Sequence, residues 1–292
     1  MTDNHEDVSD RAGVLFVVAT PLGNLEDISE RAARVLGEVD LVLAEDTRRG
    51  AKLLSALGLS ALLESFHGDT VPGKRERLVA RLAAGATMAM TTDAGTPCIS
   101  DPGAELVAEA AAAGVTVVPI PGPDSITTAL SVSGLPAPQF EFLGYAPRRE
   151  RERREFLQRA ATSPVTTVLF ETPHRIVACL RDLVQVAGAD QPLVICRELT
   201  KLHEEVLRGT AAEALAHFEE AQPLGEFVVA LPSGEGDAQP GHAASDEDVR
   251  EAAERLLELG VHTKDAAGVI STLTGRARND LYDMLVRLRT GD

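Results

Sequence analysis

The stretch Met88-Ala89-Met90-Thr91-Thr92-Asp93-Ala94-Gly95-Thr96-Pro97 decides how this chain is read. Its first half is a short apolar run with β-favouring threonines, the pattern of a strand buried on both faces. Its second half is a turn cluster. Asp favours turns, Gly lets the backbone approach a ligand closely, and Pro holds the loop in one shape. A strand that ends in such a loop is the repeating unit of an open α/β sheet, and such sheets bind ligands beyond the carboxyl ends of their strands.

Working outward, two more units of this kind appear. Val14–Val18 runs into Thr20-Pro21-Leu22-Gly23-Asn24, and residues 115–120 run into Pro121-Gly122-Pro123-Asp124-Ser125. Any one of these loops reads equally well as an ordinary strand–helix turn. Three of them at one sheet edge form a rigid, polar pocket. None is a GxGxxG or GxxxxGK[ST] element, so a conventional dinucleotide site or P-loop is not supported.

The alternation extends in both directions. Helical spacing covers 28–36, with Asp27 as the expected N-cap, then 49–57, 74–84 and 103–113; strands are expected at 41–44 and 62–66. This order predicts a mostly parallel sheet over residues 13–134. The chain pauses at Gly134-Leu135-Pro136-Ala137-Pro138. A second α/β domain is expected over 139–233, with strands at 166–170, 193–197 and 226–231 and helices at 149–161, 176–187 and 211–220. Residues 234–245 read as a Gly/Pro/Ala/Asp-rich linker. The tail, 246–292, has helical periodicity punctuated by Gly260 and Gly275. That predicts three short helices, the last pair resembling a helix-turn-helix. Residues 1–12 read as disordered.

Composition narrows the function classes. The chain has 292 residues and a formal net charge of −17, so it repels phosphate backbones on average and can meet nucleic acid only through a local basic face. Cys98, Cys179 and Cys196 have no metal-ligand spacing, and their odd count gives no disulfide framework. No metal is expected. The polar, acidic N-terminus does not read as a signal peptide, and there is no apolar run of membrane-spanning length. A cytoplasmic protein is expected.

The ordered motifs carry a family resemblance. Thr20-Pro21-Leu22-Gly23-Asn24-Leu25 with Asp27-Ile28, Ala44-Glu45-Asp46-Thr47-Arg48, Asp93-Ala94-Gly95-Thr96-Pro97 with Ser100-Asp101-Pro102-Gly103, and 119–125 look like one group. Phe170-Glu171-Thr172-Pro173-His174-Arg175, Arg197-Glu198-Leu199-Thr200-Lys201 and Gly225-Glu226-Phe227 match it further. That group is the ribosomal RNA small subunit methyltransferase I family of the tetrapyrrole methylase superfamily. Thr92 stands where relatives usually carry Ser, and 143–149 is a looser version of the family's Gly-Phe-Leu-Pro segment.

The resemblance implies two α/β domains with S-adenosylmethionine in the cleft between them, plus a helix-turn-helix-like tail. It implies 2′-O-methylation of a cytidine in the decoding region of 16S ribosomal RNA within the small subunit, and a homodimer. Carried over by motif, the cofactor contacts are Pro21, Leu22 and Gly23; Asp93, Ala94, Gly95 and Thr96; Ile99 and Ser100; Gly122, Pro123, Asp124 and Ser125; and Glu171 and Gly225 from the second domain.

Methylating a 2′-hydroxyl requires in-line positioning and removal of a proton. The candidates in motif positions are Glu45, Asp46, His67, Glu198 and Lys201, and the sequence does not choose among them. Each has a plainer reading: Asp46 in a structural pair with Arg48, His67 as a solvated loop residue. Positive charge for RNA is expected from Arg48 and Arg49, Arg148 and Arg149, Arg197, and Arg276 and Arg278 in the tail. A charge run such as 148–155 reads equally as a solvated helix face. Two other readings stay open: a tetrapyrrole methyltransferase on the same fold, and a non-enzymatic RNA-binding relative.

Overall fold

The computed structural model describes residues 13–68, 70–220, 223–234, 246–274, 276 and 278–290. The stretch read as disordered (1–12), the linker apart from Gly234, Gly275 and the side chain of Arg278 lie outside the described residues.

Five strands form the first sheet: β1 (Val14–Val18), β2 (Leu41–Ala44), β3 (Leu63–Ser65), β4 (Thr87–Thr91) and β5 (Thr116–Ile120). Their order is β3-β2-β4-β1-β5 and every pairing is parallel. The helices between them are α1 (Glu30–Glu38), α2 (Thr47–Ala56), α3 (Pro72–Ala83) and α4 (Ala104–Ala112), and α5 (Ser125–Ser133) leaves the last strand. Strands covered on both faces need apolar residues throughout, and β2 is buried at all four positions. One face packs Leu15, Leu43 and Met88 against α3 and α4; the other packs Val18, Val42 and Ala89 against α1 and α2.

Two helix starts differ from expectation. Asp27 does not cap α1. It ends a separate 3-10 turn, Leu25–Asp27, and Ser29 caps the helix by accepting from the Ala32 N–H at 3.1 Å. Helix α2 starts two residues early because Asp46, whose carboxylate accepts from the Arg48 N–H at 2.8 Å, is itself the N-cap.

The second sheet holds β6 (Phe140–Tyr145), β7 (Thr166–Glu171), β8 (Pro192–Arg197), β9 (Glu205–Thr210) and β10 (Phe227–Leu231), in the order β6-β7-β10-β8-β9. Only β6 and β7 run parallel; the other three pairings are antiparallel. The two strands missing from the sequence reading, β6 and β9, are its edges. Edge strands are half solvated and lack a continuous apolar run, so their pattern is weak. Helices α6 (Glu150–Ala161), α7 (Ile176–Ala187) and α8 (Ala211–Glu220) cover one face over a core that includes Phe218 and Phe227. The opposite face receives α5: Ile126 and Ala129 pack on Val168, Val194 and Val228, with Leu22 in the same cluster. That helix binds the two sheets into one compact unit ending at Gly234.

The second compact unit begins at residue 235. Its helices α9 (Asp246–Glu258), α10 (Thr263–Thr274) and α11 (Arg278–Thr290) close a small core of Val249, Ala253, Ala266, Ile270, Leu281 and Leu285.

Candidate active site between the two sheets

The strand order β4-β1-β5 places the three turn clusters side by side at the carboxyl ends of adjacent strands. They are also tied to each other. Thr20 and Gly95 exchange backbone hydrogen bonds of 2.9 and 3.0 Å, the Thr96 hydroxyl donates to the Pro123 carbonyl at 3.1 Å, and Asp124 caps α5 by accepting from the Thr127 N–H at 2.9 Å. A cavity of about 330 Å³ opens over these loops. Leu22, 92–96, Ile99, Ser100, Asp101, Asp124 and Ser125 form its floor, and Tyr145, Phe170, Glu171, Leu199 and Glu226 approach from the second sheet.

The lining is strongly acidic. Glu45, Asp93, Asp101, Asp124, Glu171 and Glu226 all contribute, and Arg49 is the one cation among the described lining residues. The acids on the first sheet are held in place. The Thr92 hydroxyl donates to Glu45 Oε2 at 2.8 Å; Asp93 Oδ1 accepts from the Asp46 N–H at 3.2 Å, and its Oδ2 lies 3.3 Å from Arg49 Nη1. Burial raises the Asp93 carboxyl above the usual carboxylate value against the pull of Arg49. Burial also pushes Asp101 up to about 6, helped by the charges of Glu45, Asp93 and Glu226. Glu171 is almost fully buried and likewise raised, chiefly by burial. Its Oε1 accepts from the Thr172 N–H at 2.8 Å. Its Oε2 accepts no hydrogen bond from the described residues and lies 3.3 Å from Arg175 Nη2.

Other residues singled out in the sequence sit around this cavity or apart from it. Pro21, Gly23 and Asp46 line a shallow hollow next to it. Asp46 is bound to Arg48, which holds its carboxyl far below the usual range. Gly122 packs on Ala19. Glu198 and Lys201 form a bridge at the edge of the site: Lys201 Nζ reaches Glu198 Oε1 at 2.7 Å and Glu226 Oε2 at 3.2 Å. Gly225, at φ +94, leaves room for Glu198, because a Cβ there would overlap it. Arg197 is engaged by the Leu224 carbonyl at 2.8 Å and by Glu205 at 3.2 Å. His67 is exposed and does not line the cavity; it follows β3, an edge strand two places from β4. Arg276 belongs to the second compact unit, as does Arg278.

The sequence reading gives no role to Asp101 or Tyr145, both of which line the cavity. The signal for Asp101 lay in Ser100-Asp101-Pro102-Gly103, a second turn cluster directly after the first. Ser100 there adopts φ +59 and Cys98 φ +73, the left-handed backbone that side-chain-bearing residues rarely take and that clusters at functional sites.

The family model for tetrapyrrole (corrin/porphyrin) methylases matches residues 14–215, and that for the RsmI C-terminal HTH domain matches 243–289. A protein of Synechocystis named ribosomal RNA small subunit methyltransferase I is 39% identical over 276 residues, covering 94% of this chain and 98% of its own. The chain belongs to the ribosomal RNA small subunit methyltransferase I family of tetrapyrrole methylases. A member from Thermotoga maritima is 43% identical over 223 residues, 76% of this chain and all of its own. The fold likeness reaches uroporphyrin-III-C-methyltransferase from Thermus thermophilus, with TM-score 0.53 and 23% identity over 75% of this chain and 94% of that one. Among the described residues, no group of three or more His, Cys, Asp or Glu could hold a metal ion, and no helix is long and apolar enough to cross a membrane.

Proposed function

We propose that the chain binds S-adenosylmethionine in this cleft and methylates the ribose 2′-oxygen of a cytidine in the decoding region of 16S ribosomal RNA, acting on the small ribosomal subunit. The observation that carries the cofactor reading is the charge of the cavity: among the described lining residues, six carboxylates against one guanidinium. A ligand with a sulfonium and an ammonium group fits such a lining. Asp93, Gly95, Thr96, Ser100, Ser125 and Glu171 are the residues that would hold it.

Bound there, S-adenosylmethionine supplies a methyl group activated by positive sulfur. The protein's residues do the rest. The tied loops hold a fixed shape, so little conformational entropy is lost on binding. The carboxylates favour a cationic ligand. The acceptor hydroxyl must give up a proton, and Asp101 is suited to take it. Its carboxyl faces the cavity, and a value near 6 leaves it ionised at neutral pH yet basic enough to accept. Glu45 is engaged by Thr92, and Glu198 by Lys201. Homodimer formation and cytoplasmic action belong to the same reading.

Mass spectrometry of ribosomal nucleosides from cells with and without the gene tests it. Loss of one 2′-O-methylated cytidine is expected. Unaltered ribosomal RNA, with methylation of uroporphyrinogen by the purified protein, would favour the tetrapyrrole branch.

A further inference from the structure

The chain is poor in aromatics, with two Tyr and no Trp in 292 residues. One of those tyrosines, Tyr145, stands in the cleft with 51% of its surface exposed. Soluble proteins bury aromatic surface where they can, so a half-open ring in a polar cleft calls for a partner. It is not a loose side chain. The ring packs edge-to-face on Phe170 at 5.5 Å, and Phe170 packs on Phe142 at 4.7 Å.

The backbone beyond it is pinned from behind. The carbonyls of Ala146 and Pro147 accept from Arg175 Nη2, and that of Arg148 accepts from Arg153 Nη1 at 3.1 Å. Arg153 is buried and anchored by Asp182 at 2.8 Å. Two arginines thus hold three successive carbonyls. Across the cleft, Gly144 lies against the Ser100 side chain, one residue from Asp101.

The charge pattern gives this platform a direction. The cavity is acidic and repels phosphate. The residues that follow Tyr145 are Arg148, Arg149 and Arg151, all exposed. Arg149 and Arg151 make only surface pairs with Glu152 and Glu155, which are weak enough to exchange for phosphate. A nucleotide fits such a surface in one way: phosphates outside on the arginines, base on the ring, ribose inward. Base–aromatic stacking is the usual means by which proteins hold an unpaired base.

We propose that Tyr145 is the stacking platform for the RNA substrate's nucleobase, placing the attached ribose beside Asp101. This rests on the ribosomal RNA reading above. It makes Tyr145 a positioning residue with no part in the proton or methyl transfer, and it assigns the ring, not the hydroxyl.

The test uses the full-length protein, small ribosomal subunits from cells lacking the gene, and labelled S-adenosylmethionine. Tyr145→Phe should methylate like the parent. Tyr145→Ala should raise KM for the subunit about tenfold, the range of one lost base stack, with the Kd for S-adenosylmethionine from calorimetry within about twofold of the parent. Tyr145→Leu, which keeps apolar volume over Phe170, should behave like Tyr145→Ala and guards against misfolding. Equal loss in Tyr145→Phe would assign the hydroxyl and overturn the proposal. A matching loss of cofactor affinity would place the ring on the cofactor and do the same, as would an unchanged KM in Tyr145→Ala. A parent protein that methylates no ribosomal subunit removes the underlying reading, and this inference falls with it.

Discussion

The stem of Lys201 lies directly against Gly23, so closely that a Cβ at Gly23 would overlap Lys201 Cγ. These residues come from opposite halves of the first compact unit: Gly23 from the loop after β1, Lys201 from the turn after β8. The contact seats Lys201 so that its ammonium reaches both Glu198 and Glu226. Gly23 does not need a left-handed backbone, so alanine there meets a steric obstacle only. Gly23→Ala should cost about 1–3 kcal/mol, the range for overpacking. The cost should shrink sharply in a Lys201→Ala background, because the obstacle is gone. Denaturant midpoints of the two single variants and the double variant measure this coupling. Additive effects would mean that the close approach is not what excludes a side chain.

Asp101 links stability and activity through pH. Burial and the neighbouring carboxylates push its folded-state value up to about 6, from an ordinary 3.8. A raised value means that the folded state favours the neutral acid. That contribution is present in full below about 4 and is lost as pH rises through about 6. Asp101→Asn should therefore melt higher than the parent at pH 8 and close to it at pH 4. Its activity should move the other way. In the parent, kcat/KM should fall as pH drops through about 6, and the variant should lose both the inflection and most of the rate. Melting curves at the two pH values, with a pH–rate profile, check both halves. A variant with parental rate removes Asp101 from proton transfer.

Asp93 separates folding from binding. Its carboxylate holds the Asp46 N–H and sits 3.3 Å from Arg49 Nη1, but it is also penalised by burial and stands near Glu45. Losing the attractions and the repulsions together should leave stability within about 1 kcal/mol of the parent in Asp93→Ala. Affinity for S-adenosylmethionine should fall about tenfold or more, the scale of one hydrogen bond to a charged group. Calorimetry and a denaturant melt on the same sample decide it. Parental affinity would free Asp93 from any cofactor role.

How far the sequence reached can be traced residue by residue. The parallel sheet was legible because strands such as β2 are apolar at every position and end in turn residues. The mixed second sheet was not, because β6 and β9 are half-exposed edges whose polar positions hide them. Among the site residues, Asp93 to Thr96 announced themselves through turn chemistry. Asp101 carried the same kind of signal. What raises its carboxyl, however, includes the approach of Glu45 and Glu226 from elements distant in the chain, and no local pattern records that. His67 shows the reverse. It ends a strand as an active-site residue should, but β3 is the edge of the sheet, and strand order is not written in any single strand.

The helical tail offers the last separation. Each described side chain that lines the cavity lies between Leu22 and Val228, whereas the buried residues described in the tail's hydrophobic cluster come from α9, α10 and α11. The acidic cleft repels phosphate, so a large RNA substrate has to be held by surfaces outside it. Ending the chain after residue 245 should therefore leave the Kd for S-adenosylmethionine unchanged while lowering kcat/KM on small ribosomal subunits. The readouts are calorimetry for the first and label incorporation across subunit concentrations for the second. A loss confined to KM would mark the tail as a substrate-holding element. Undiminished methylation would mean that the first compact unit engages the subunit unaided.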